Sequence, residues 1–76
     1  MPTGFISEPT TDLGARLRTL RTRAGLTQQD VAAVLGTGAN RISDWETGRY
    51  EPTLPVLKRF AEMYGMTVSG ILQRIM

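Results

Sequence analysis

The stretch from Leu26 to Tyr50 limits the fold more than any other, because it encodes two short helices with almost nothing between them. Thr27 stands at an N-cap position and Asp30 follows three residues on, the spacing of a capping box. Val31, Ala32 and Leu35 then share one face, which predicts an amphipathic helix over residues 28–35. Gly36 can take the positive φ angle that a sharp turn between helices needs. A second helix is expected from about Gly38 to Glu46, with Ile42 and Trp45 on its inner face. Its outer face carries Ala39, Asn40, Ser43 and Asp44, with Arg41 at the edge. Gly38 precedes this helix where a capping side chain belongs, so the start is poorly capped unless Thr37 supplies the bond.

The flanking segments read as further helices. Leu13, Leu17, Leu20 and Ala24 recur at helical spacing and predict a first helix over residues 12–24, closed by Gly25. Arg16, Arg18 and Arg23 on its other faces are most simply a solvated surface. Thr53 caps a fourth helix that tolerates Pro55 in its first turn. Leu54, Leu57, Phe60, Ala61 and Tyr64 are its expected buried face, and Gly65 ends it. Thr67 opens a last short helix with Val68, Ile71, Leu72 and Ile75 on its apolar side. Gly70 weakens that helix by about 1 kcal/mol relative to alanine. Residues 1–11, with two prolines and no periodicity, read as a flexible arm, leaving 12–76 as one domain.

Two short helices joined by a tight glycine turn, the second with a small polar outer face, form a helix-turn-helix pattern at about residues 28–46. The runs LGARLRTLRTRAGLTQQDVAAVLG and ISDWETGRYEPTLPVLKRFAEMYGMTVSGIL closely resemble the phage-repressor (Cro/CI-like, or XRE) helix-turn-helix family. The resemblance covers Leu13 to about Leu72. It rests on L-R-x-L-R-x-x-x-G-L-T-Q, on W-E-x-G and on P-T-L-x-x-L, which together are specific and singly are not. It implies an all-α fold, a compact five-helix lambda-repressor-like DNA-binding domain. By motif position Ala39, Asn40, Ser43 and Asp44 would face base edges and Gln28 would reach a phosphate; Arg41 could reach either a phosphate or a guanine, and Arg49, in the loop after that helix, is placed for a phosphate. The resemblance also pairs Arg21 with Glu46 behind the second helix of the motif, as a structural ion pair. Trp45 is core at this position, not a base-stacking residue, and Met63 and Met66 read as packing.

Composition agrees with a binding module. The 76 residues include no Cys and no His. Disulfides and the usual zinc sites are therefore excluded, and the commonest general base and the cysteine nucleophile are missing. An enzyme is not expected, nor a cofactor or metal. Net charge is +2, yet residues 13–49 hold six Arg against Asp30, Asp44 and Glu46, so the positive excess lies in the helix-turn-helix half. That favours a polyanionic partner. No apolar run approaches the roughly 20 residues of a membrane span, and no signal peptide is evident, so a cytoplasmic protein is expected.

The function these features imply is a bacterial or phage transcriptional regulator, a repressor binding double-stranded operator DNA in the major groove as a homodimer. Ile71, Leu72, Ile75 and Met76 form an apolar strip that is a candidate dimer interface. Two alternatives stay open. One is the antitoxin of a toxin–antitoxin pair. The other is an adaptor that uses the helix-turn-helix as a scaffold for a protein partner.

Overall fold

The computed structural model describes residues 8–72 and contains five helices among them: α1 (Glu8–Arg23), α2 (Gln28–Leu35), α3 (Ala39–Thr47), α4 (Leu54–Tyr64) and α5 (Val68–Leu72). No strand occurs among the described residues. Ile75, Met76 and residues 1–7 of the expected arm lie outside them. α1 begins four residues earlier than the periodicity of its apolar stripe indicates. Residues 8–11, expected in the arm, belong to the helix, and Pro9 falls in its first turn, where a missing N–H costs nothing.

The core is a single cluster of Leu17, Val31, Ala32, Leu35, Ile42, Trp45, Leu57, Phe60, Ala61 and Ile71. Each of α1 to α5 contributes to it, and α3 packs against both α1 and α2. Trp45 meets Phe60 edge-on at 5.9 Å between ring centroids, and Phe60 stacks on Tyr64 at 6.2 Å. Met63 and Met66 pack against this cluster as expected. The edge-on and stacked arrangements are those the ring quadrupoles favour.

Three residues depart from the expected burial. Ala24 is exposed, because α1 ends at Arg23 and the chain turns through Gly25, with the Leu26 N–H donating to the Arg21 carbonyl at 3.1 Å. Leu54 is 55% exposed. As the first residue of α4 it lies beyond the edge of the core that Leu57 and Phe60 enter. Arg16 is half-buried, not solvated, and its guanidinium donates to the Gly70 carbonyl at 3.2 Å, tying α1 to α5.

Candidate nucleic-acid interface

The start of α2 is built as the sequence indicates. Thr27 Oγ1 accepts from the Asp30 N–H at 3.0 Å, and Asp30 Oδ2 accepts from the Thr27 N–H at 2.8 Å. The Thr27 backbone N–H, and to a lesser extent the Thr27 side chain, hold the Asp30 carboxyl below its ordinary range. The helix stops at Gly36, whose φ of 73° lets its N–H return to the Ala32 and Ala33 carbonyls. From α4, Arg59 donates to the carbonyls of Val34 and Leu35 at 3.1 Å each. A cation thus sits on the negative end of the α2 dipole and braces the turn that leads into α3.

On α3 the inner face is anchored and the outer face is free. Ile42, Trp45 and Glu46 are buried. Asn40 and Arg41 are exposed, while Ala39, Ser43 and Asp44 are half-buried along the same outer side. Neither Gly38 nor Thr37 gives the first turn a side-chain hydrogen bond. Its leading amides therefore remain available to an anion or a base edge. The α3–α4 loop flanks this face. Asn40, Arg41, Asp44, Tyr50, Glu51 and Thr53 line an open groove between them. The Arg49 guanidinium lies 5.8 Å from the centre of the Tyr50 ring, a cation–π contact on a ring 57% exposed.

Behind α3, Arg21 and Glu46 meet in a bidentate pair. Arg21 Nε donates to Glu46 Oε2 at 2.6 Å and NH2 to Oε1 at 3.1 Å, with side chains 12% and 3% exposed. The third guanidinium nitrogen donates to the Leu26 carbonyl at 2.8 Å, so one side chain joins α1, the α1–α2 link and α3. Hydrogen bonding to Glu46 raises the Arg21 pKa and keeps it charged. Burial pushes the nearby Tyr64 hydroxyl up, the Glu46 charge adds to the rise, and Arg21 opposes it.

Of the residues named from motif position, Asn40, Arg41 and Asp44 line one groove, Ala39 and Ser43 lie on the same helix, and Arg49 is exposed in the loop that follows it. Gln28 is half-buried and its side-chain amide donates to Glu46 Oε1 at 3.1 Å, so it is held inward by the ion pair. Leu72 is 46% exposed beside fully buried Ile71, which splits the apolar strip of α5 into a core half and a free half. Sequence reasoning missed Gly14 and Arg59. A Cβ on Gly14 would lie 2.4 Å from the Glu46 carbonyl oxygen and 2.7 Å from that of Trp45, so only glycine lets α1 come so near α3. A glycine inside a helical pattern was the one available signal.

Comparison with known proteins identifies the arrangement. Residues 12–70 match the family model described as a helix-turn-helix domain. The chain belongs to the helix-turn-helix family. It is 38% identical over 60 residues to the HTH-type transcriptional regulator DdrOP3 of Deinococcus deserti, covering 79% of this chain and 46% of that protein. It is 30% identical over 57 residues to the cryptic phage CTXphi transcriptional repressor RstR of Vibrio cholerae, covering 75% and 51%. This helix-turn-helix chain thus spans about half the length of those relatives. Among solved structures, the clp gene regulator ClgR of Corynebacterium glutamicum superposes with a TM-score of 0.76 at 28% identity, covering 83% of this chain and 67% of ClgR. DdrOP3, RstR and ClgR are each named as regulators or repressors. Among the described residues no group of three His, Cys, Asp or Glu side chains gathers, and no helix is long and apolar enough to cross a membrane.

Proposed function

We propose that this helix-turn-helix protein represses transcription by binding a specific operator as a homodimer, with α3 in the major groove. One observation carries the reading. α3 is locked from behind by Ile42, Trp45 and the Arg21–Glu46 pair, yet offers exposed Asn40 and Arg41 and an uncapped first turn. Rigid anchoring with a free polar face is what base readout requires. Asn40 suits a bidentate pair with adenine, Ala39 a thymine methyl, and Asp44 the N4 amino group of cytosine. Ser43 completes the base-facing row. Arg41 and Arg49 reach phosphates on either side. Gln28 has two amide hydrogens; Glu46 takes one and the second is left for a phosphate. Leu72, exposed beside the buried Ile71, supplies the dimer contact together with Ile75 and Met76, which follow it in the sequence. Repression is the favoured sign because occupancy of an operator suffices for it, and RstR, a similar protein, is named a repressor.

Selection of bound duplexes from fragmented host DNA tests this. An enriched inverted repeat with half-sites about one helical turn apart is expected. Two arginines per protomer predict a log–log salt slope of about −3 to −4 for the dimer. A single enriched half-site removes the dimer from the proposal. No enrichment at low salt overturns it and shifts the search to a protein partner. Transcription that rises with added protein reverses the sign.

A further inference from the structure

Gly38 sits at the N-cap of α3 with φ −100° and ψ 156°. That is extended backbone open to any residue, so the turn does not need a glycine. Serine, threonine or aspartate there would bond the first turn and stabilise the helix, as Thr27 does for α2. The use of a glycine becomes clear two residues on. A Cβ on Gly38 would come 2.8 Å from Asn40 Oδ1 and, its two chain neighbours aside, would meet within 4 Å only Asn40 Cγ besides, at 4.0 Å. Apart from those neighbours, the space left by the missing side chain is bordered by the Asn40 amide.

We infer that Gly38 is a specificity-determining residue, because its bare Cα lets the Asn40 amide lie back over the start of α3 and so sets how that amide meets a base pair. The inference rests on the DNA-reading role proposed for α3. A bidentate asparagine–adenine pair needs both hydrogen bonds near their ideal distance and angle, so a rotated amide loses at least one. The atom that would clash is the free end of an exposed side chain, not backbone. A side chain at position 38 therefore moves Asn40 and leaves the fold intact. Stability and base reading then respond in opposite directions to one substitution.

Gly38→Ser and Gly38→Ala, with Asn40→Ala alongside, test this in the full chain. Three quantities are measured: the melting temperature, the Asn40 χ1 rotamer from three-bond couplings without DNA, and base preference from a randomised duplex library. Gly38→Ser is expected to melt no lower than wild type. Both Gly38 variants should show a changed Asn40 rotamer. Both should also lose about tenfold in discrimination, within the range of one bidentate pair, at the same base pair that Asn40→Ala relaxes. An unshifted rotamer, or a wild-type preference at that pair, overturns the inference. So does a Gly38→Ser protein that melts well below wild type, which would assign the glycine to folding. A wild-type protein that enriches no duplex overturns the DNA reading and the specificity claim with it. The rotamer measurement, made without DNA, tells the two failures apart.

Discussion

Gly36 closes α2 at φ 73° and Gly48 closes α3 at φ 81°, each returning its N–H to two carbonyls of the last turn, yet the two helices begin differently. α2 starts with a complete capping box and α3 starts with no side-chain bond at all. The difference teaches where stability was placed. α2 is secured at its own ends, by Thr27 and Asp30 in front and by Arg59 behind. α3 is secured through its inner face, by Glu46 and Trp45, and its start is left free. A local rule broken at one helix start, with strong anchoring elsewhere on the same helix, marks a position given to function.

The comparison breaks if α3 does not depend on its anchor. Glu46→Ala leaves the largely covered Arg21 guanidinium without its partner and Gln28 without its acceptor, and should cost about 3 kcal/mol or somewhat more, the low end of the range for a broken buried pair. At about 4–8 °C per kcal/mol for a domain of this size, the melting temperature should fall by more than about 12 °C. Arg21→Ala should match it. Two variants with unchanged melting temperatures would show that the pair does not hold the helix.

Gly14→Ala tests the same anchor from the α1 side. The added methyl meets the carbonyls of Trp45 and Glu46, which are backbone and cannot rotate away. α1 must back off from α3, at a cost of about 1–3 kcal/mol by analogy with overpacked cores. A melting temperature equal to wild type would mean that the two helices slide apart freely. Because the loss falls on the joint, weaker DNA binding should accompany it even at temperatures where the variant is folded.

The capping box, the turn at Gly36 and the inner face of Ile42 and Trp45 were legible because each rests on residues within one helical turn of one another. Phe60 and Leu57 were legible from periodicity for the same reason. Gly14 and Arg59 were not. Their partners lie 24 to 32 residues away, and no local pattern states how near two helices pass or which carbonyl a long side chain finds. Gln28 shows the same limit within the candidate site: motif position points it outward to a phosphate, whereas its Glu46 bond follows from the α2–α3 angle. Leu54 failed for the opposite reason, since helical spacing fixes a direction around the axis but not how far along it the core extends.

A smaller contrast separates the two helix starts themselves. Thr27→Ala removes the hydroxyl that accepts from the Asp30 N–H and should cost about 1 kcal/mol. Gly38→Ser adds a hydroxyl where none acts and should gain a few tenths of a kcal/mol in thermal or denaturant unfolding. Changes of the same sign in the two variants would remove the asymmetry between α2 and α3.

The smallest effect sharpens the contrast through acid. The Asp30 carboxylate is held below its ordinary value, near about 3.9, by its bonds to Thr27. A lowered folded pKa means that the stabilisation is present above the unfolded value and is lost as pH falls through the folded one. Acid below about pH 4 should therefore loosen the start of α2. α3 has no carboxylate in its first turn and no cap bond to lose there. In amide spectra the Thr27 N–H should move as the carboxyl takes up its proton and that bond weakens. In Asp30→Asn the movement should vanish. A Thr27 signal that stays flat while the protein remains folded would place Asp30 in solvent, and with it the claim that α2 alone of the pair is secured at its own beginning would fall.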